Sequence, residues 1–169
     1  MGDGKLRMFG ASNDSIVDGP GLRLAVFVQG CSHDCPGCQN PESHDPAGGY
    51  DQSVESLVHA LDGNPLLDGV TFSGGEPMEQ AGELIALADA AHERGLNVWC
   101  YTGYLFEQVR DGKPSADAAE LLKHIDVLVD GPFVQDKRSL DLRWKGSSNQ
   151  RVIDVPASLN SDEVVLARC

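Results

Sequence analysis

The sequence predicts an α/β fold in one domain, built on a mostly parallel sheet. Three observations carry this. Short apolar runs alternate with amphipathic helical patterns along the chain, and strands separated by helices pair in parallel through right-handed crossovers. Glycine or polar residues stand at the end of each of the first four apolar runs. The 169 residues also suffice for one domain but fall short of the roughly 250 typical of a closed eight-stranded barrel.

Taken in order, "LRLAVFVQG" (22–30) reads as a buried strand and "QSVESLVHALDG" (52–63) as an amphipathic helix closed by Gly63. "GVTFSGG" (69–75) is a strand that breaks at paired glycines. "EQAGELIALADAAHERG" (79–95), rich in good helix formers, is a helix ending at Arg94-Gly95. "LNVWCYTG" (96–103) is a third strand. Residues 115–125 form a helix with Ser115 as N-cap and Asp117 in the favourable first turn. "DVLVDGP" (126–132) and "QRVIDVP" (150–156) complete the strands. Residues 31–50 have many Pro, Gly, His and Asp and little periodicity, which predicts a long functional loop. The expected core of the domain, 1–169, is about 14–156, with 1–13 and 157–169 peripheral.

The exits at Gly30-Cys31, Ser73 to Glu76, Thr102-Gly103 and Asp130 to Pro132 all lie at carboxyl ends of strands. In a parallel sheet those ends share one edge, where α/β proteins place their sites. The cysteine loop and the Gly-Gly-Glu segment are therefore expected to converge.

A net charge of −13 and a pI near 4.5 argue against non-specific nucleic-acid binding, which needs positive charge to displace counterions. Lys137, Arg138, Arg143, Lys145 and Arg151 form a local basic exception, read as a solvated loop or a docking patch. The longest apolar runs are far below the roughly 20 residues that cross a bilayer. The start lacks a secretory signal, and Leu6 stands where a myristoylation motif needs Ser or Thr. The expected location is the cytosol.

Five cysteines, three of them within "GCSHDCPGC", make a poor disulfide framework and a reasonable metal site. Cys31, Cys35 and Cys38 can bring three thiolates onto one inorganic centre with one position left open. That centre is an iron-sulfur cluster with one iron open to a non-protein ligand, or zinc completed by His33 or His44. A thiol redox role for Cys35 and Cys38 is a third reading. His33 reads as solvated or as supporting the ligands from behind. Cys100, alternating with Trp99 on a strand, reads as core, and Cys169 as incidental. In "TFSGGEP" the glycines permit a turn or close ligand approach, and Glu76 favours a helix N-terminus or accepts from a cationic amine.

Together, the three-cysteine loop and Ser73-Gly74-Gly75-Glu76-Pro77 resemble the signatures of the radical S-adenosylmethionine superfamily. The preceding "DGPGLR" (Asp18 to Arg23) is similar to the segment before the cluster loop in activators of glycyl-radical enzymes. "VWCYTGY", "VLVDGPFVQD" and "RWKGSSNQRVID" resemble the smallest of these, the activators of anaerobic ribonucleotide reductase. The likeness runs from about Asp14 to Ile153. Gly37 agrees with that group, whereas Gln39 stands where an aromatic is frequent.

The resemblance implies an incomplete βα barrel and a 4Fe-4S cluster on Cys31, Cys35 and Cys38, with S-adenosylmethionine chelating the fourth iron. One-electron cleavage would give methionine and a 5′-deoxyadenosyl radical, which takes a hydrogen atom from a glycine of the large reductase subunit. It implies cofactor contacts from Gly37, Gln39, Ser73, Gly74, Gly75, Glu76 and Thr102, with Asp130 a further candidate. The implied partners are that glycyl-radical subunit and an electron donor such as flavodoxin or ferredoxin.

Overall fold

The computed structural model describes residues 4–33, 41–139, 142, 144–161 and 163–167. Its strands are β1 (Lys5–Ser15), β2 (Arg23–Val28), β3 (Tyr50–Ser53), β4 (Gly69–Gly74), β5 (Asn97–Tyr101), β6 (Val127–Asp130) and β7 (Arg151–Asp154). They form one sheet in the order β3-β1-β2-β4-β5-β6-β7. The central four, β2, β4, β5 and β6, run parallel, as their alternation with helices predicts. β1, β3 and β7 join antiparallel. The result is a mixed α/β sheet with a parallel centre.

The helices are α1 (Val54–Asp62), α2 (Ala81–Glu93), α3 (Phe106–Arg110), α4 (Ala116–Leu122) and α5 (Val155–Leu159). Ser53 caps α1 by accepting from the Ser56 amide, and Ser115 caps α4 through the Ala118 amide. The apolar stripe Leu57 and Leu61 of α1, Leu84, Leu87 and Ala91 of α2, and Leu121 and Leu122 of α4 packs into one core. That core also takes alternate strand residues: Leu24, Val26 and Val28, then Val70 and Phe72, then Val98 and Cys100. Period-two alternation sends the intervening residues, among them Phe27, Ser73 and Tyr101, to the opposite face. They line a cavity there.

Of the residues 1–13 expected to be peripheral, 5–13 are part of the sheet. β1 pairs with β2 and β3, and its Leu6 and Met8 are fully buried. Beyond residue 156, α5 continues and Leu166 forms a bridge with Ile153.

"DGPGLR" is explained by Arg23, whose side chain is wholly buried beneath the sheet. Its guanidinium donates to Thr71 Oγ1 (2.7 Å), Pro20 O (2.9 Å), Val70 O (2.9 Å) and Asn97 Oδ1 (2.6 Å). The Trp99 ring lies 5.6 Å away. One side chain thus ties the turn before β2 to β4 and β5. Burial lowers its pKa to about 10 despite nearby Tyr101, Asp68 and Asp126.

Candidate functional site

β2 and β4 leave the sheet side by side, and their backbones interlock. The Gly75 amide donates to Val28 O (2.7 Å) and the Glu76 amide to Gly30 O (2.8 Å). A Cβ on Gly75 would stand 2.3 Å from Gly30 O, and one on Gly74, whose φ is +95°, 2.6 Å from the Val28 nitrogen. The paired glycines therefore make room for the neighbouring strand exit, and the Gly75 amide is spent on it. The consequence is register. Gly30, the residue before Cys31, is locked against the Gly-Gly-Glu segment.

The far end of the cysteine loop is pinned to the same place. The Gly30 amide donates to Ser43 O and the Cys31 amide to His44 O, at 2.6 and 3.0 Å. Gln29 Nε2 holds the returning chain through Glu42 O (2.8 Å) and Asp45 O (2.7 Å). Cys31 itself is half-buried. Cys35, Gly37, Cys38 and Gln39 lie outside the described residues, as does Cys169.

Glu76 is the hub of this edge. It is fully buried, and its carboxylate accepts from four groups. Oε1 takes His33 Nε2 and the Gly103 amide, each at 2.7 Å. Oε2 takes the Thr102 hydroxyl at 2.8 Å and the Met78 amide at 2.9 Å. Sequence reasoning gave Glu76 to a helix N-terminus or to a ligand's amine, and the first is present in its acceptance from the Met78 amide at the start of the turn 77–80. The geometry adds a wider task, joining the cysteine loop, the turn after β4 and the end of β5. Thr102 serves that task too, since its oxygen also accepts from the Tyr104 amide (3.1 Å).

His33 is held more firmly than a solvated residue. Its side chain is 16% exposed and packs edge-on against Tyr104, with ring centroids 4.5 Å apart. The hydrogen bond to Glu76 raises its pKa, against the opposing effect of burial. At Tyr104, by contrast, burial raises the pKa. Tyr104 and the histidine's structural part carried no sequence signal beyond the placement of His33 between two cysteines.

Cys31, His33, Ser73 to Glu76, Thr102 and Gly103 share a cavity of about 120 Å³ with Gly131, Phe133 and Gln150. The carboxyl-edge convergence predicted from the strand exits is therefore present. A neighbouring cavity of about 360 Å³ shares Ser73, Tyr101, Phe133 and Gln150 with the first and adds Phe27, Trp144 and Lys145. The donor chemistry of Cys31, on the rim of a cavity walled by Ser73 to Glu76, fits one ligand of a thiolate-held cluster.

Other candidates are placed elsewhere. Asp130 is buried, caps α3 through the Phe106 amide (2.8 Å) and binds Arg151 Nε (3.0 Å), so it is structural. Cys100 sits in the core, with its thiol pKa pushed well up by burial. Within the basic segment Arg151 is committed to Asp130 and Glu107 and Lys145 to Gln150 O; Lys137 and Arg138 are exposed. Arg143 lies outside the described residues.

Residues 17–153 match the family described as a 4Fe-4S single cluster domain. The anaerobic ribonucleoside-triphosphate reductase-activating protein of Salmonella typhi is 36% identical over 145 residues, covering 81% of this chain and 91% of the relative. Its counterparts in Escherichia coli K12 and Enterobacteria phage T4 are 34% and 32% identical over the same share of this chain, covering 91% and 86% of theirs. The chain belongs to this family of activating proteins. Among solved structures, QueE from Escherichia coli matches with a TM-score of 0.45 at 16% identity, over 59% of this chain and 52% of that one. Among the described residues no helix is long and apolar enough to cross a membrane.

Proposed function

We propose that this chain activates anaerobic ribonucleoside-triphosphate reductase by generating a glycyl radical on its large subunit, using a 4Fe-4S cluster and S-adenosylmethionine. The observation that carries the reading is the interlock of Gly30 with Gly75 and Glu76, which sets the first cysteine of the loop beside the Gly-Gly-Glu turn in a chain of this family. When bound, the cluster and S-adenosylmethionine supply one-electron cleavage chemistry that removes a hydrogen atom from the partner's glycine.

The protein's part is to hold and orient. Cys31, with Cys35 and Cys38, provides the thiolates. The Gly75 and Glu76 amides are engaged with Val28 O and Gly30 O; an ammonium group, which only donates, would be met in this segment by a peptide carbonyl. Ser73 borders both cavities and suits a contact along the cofactor, as do Gly37 and Gln39 from the cluster loop. Glu76 and Thr102 support that surface from beneath. The contiguous cavities run from Cys31, past Tyr101 and Phe133, which line both, to Phe27 and Trp144, which suits a ligand joining a zwitterion to a base.

On this reading the sheet is an incomplete βα barrel whose open side admits the glycine of a large partner. The basic segment, in which Lys137 and Arg138 are exposed, docks the partner; charge reversal at Arg138, Arg143 and Lys145 is expected to weaken complex formation. An electron donor such as flavodoxin or ferredoxin reduces the cluster, and the setting is cytoplasmic. Anaerobic reconstitution tests the reading. The protein is expected to turn brown, hold about four irons and cleave S-adenosylmethionine when reduced. A colourless zinc protein without cleavage would overturn it.

A further inference from the structure

The residues immediately after Cys31 are fastened one by one to anchors that need no metal. The Ser32 amide donates to Glu79 Oε1 (3.2 Å), and the Ser32 hydroxyl to Glu79 Oε2. Tyr104 reaches the same Oε2 with its hydroxyl at 3.1 Å. His33 bonds to the buried Glu76 at 2.7 Å and leans on the Tyr104 ring. Gly103 forms the floor beneath it: a Cβ there would lie 2.6 to 2.9 Å from three atoms of the imidazole. No positive φ calls for glycine at 103, so the space for His33 is the reason for it.

From this we infer that His33 and Tyr104 are positioning residues. With Gly103, Glu76 and Glu79 they form a latch that holds the Cys31 end of the loop against the carboxyl edge of the sheet before any cluster is present. A loop ordered in advance loses less conformational entropy when it takes up its metal, and releases the metal more slowly. The part concerning the cluster rests on the proposed function; the latch itself does not.

Two measurements on the full chain separate these parts. In the metal-free protein, exchange of the Ser32 amide, which bonds to Glu79, is expected to quicken about tenfold or more in His33→Ala, the loss of one hydrogen bond to a buried carboxylate. Gly103→Ala should match it. Because both changes spoil the same fit, the double variant should be no faster than the worse single. Tyr104→Phe keeps the ring against His33 and loses the hydroxyl's bonds with Glu79 and Ser32, so it should show a smaller increase. In the reconstituted protein the same order is expected for iron loss to a chelator and for a change in the electron paramagnetic resonance line shape of the reduced cluster.

Wild-type exchange rates in His33→Ala and Gly103→Ala would overturn the latch, as would effects that multiply in the double variant. If Gly103→Ala fails to fold, His33→Asn and Tyr104→Phe decide, and unchanged exchange in both overturns it. A protein that binds no iron yet shows the exchange pattern would retain the latch and remove the cluster reading.

Discussion

Replacing Glu76 with glutamine keeps its size and changes what it can accept. The carboxylate takes two donors on each oxygen, and on each oxygen one of them is a backbone amide, Gly103 or Met78. Glutamine has one acceptor oxygen and one NH2 group. His33 can change tautomer and the Thr102 hydroxyl can turn, but a backbone N–H cannot. In either amide orientation one buried N–H therefore faces another donor, which costs about 1–3 kcal/mol. The remaining bonds lose their charge assistance, roughly half their strength, so a total near 3 kcal/mol is expected. For a domain of this length that lowers the melting temperature by roughly 6–12 °C. The assay is thermal unfolding of the metal-free protein, with no cofactor added. A melting temperature within about 2 °C of wild type, together with weakened S-adenosylmethionine binding, would refute the argument and make Glu76 a direct ligand contact.

Arg23→Lys should destabilise the metal-free protein by about 3 kcal/mol, because a lysine's point charge cannot reproduce four hydrogen bonds spread across a planar fork; chemical denaturation reads this. Glu107 has its pKa lowered by the Arg151 hydrogen bond. Its contribution is present above the unfolded carboxyl value of about 4.3 and is lost as pH falls through the lower folded value. The carboxylate is 44% exposed, so the gain is below about 1 kcal/mol. Glu107→Gln should be less stable than wild type at neutral pH, with the gap closing in acid, as urea titrations at several pH values would show. Cys100→Ala should retain the full iron content of the reconstituted protein, since that thiol is buried in the core; iron analysis checks this.

How much was legible depends on where the apolar pattern was strong. β2, β4 and β5 are continuous apolar runs because both faces of a central parallel strand are covered, and α2 and α4 show clear stripes and a cap. β1 was invisible because only Leu6 and Met8 of its apolar residues reach the core, while the rest is mixed and half exposed. β3, "YDQS", is an edge strand with no fully buried residue, and α3 is too short to show a period.

At the site, the order of strand exits was enough to predict that the cysteine loop meets the Gly-Gly-Glu turn. The division of labour inside it was not. Gly75 and Gly103 look alike in sequence, yet one makes room for the Gly30 backbone and the other for the His33 ring. The fourfold acceptance by Glu76 depends on Thr102, Gly103 and His33 arriving from separate segments, which no local pattern records.

The central claim is that this chain places a glycyl radical on the large reductase subunit. It is tested most directly by electron paramagnetic resonance of the anaerobic mixture of reconstituted protein, reductant, S-adenosylmethionine and that subunit. A glycyl doublet on the large subunit, absent when Cys31 is changed to alanine, is the predicted result. A reconstituted protein that holds its cluster and cleaves S-adenosylmethionine yet yields no doublet on a competent subunit would contradict it.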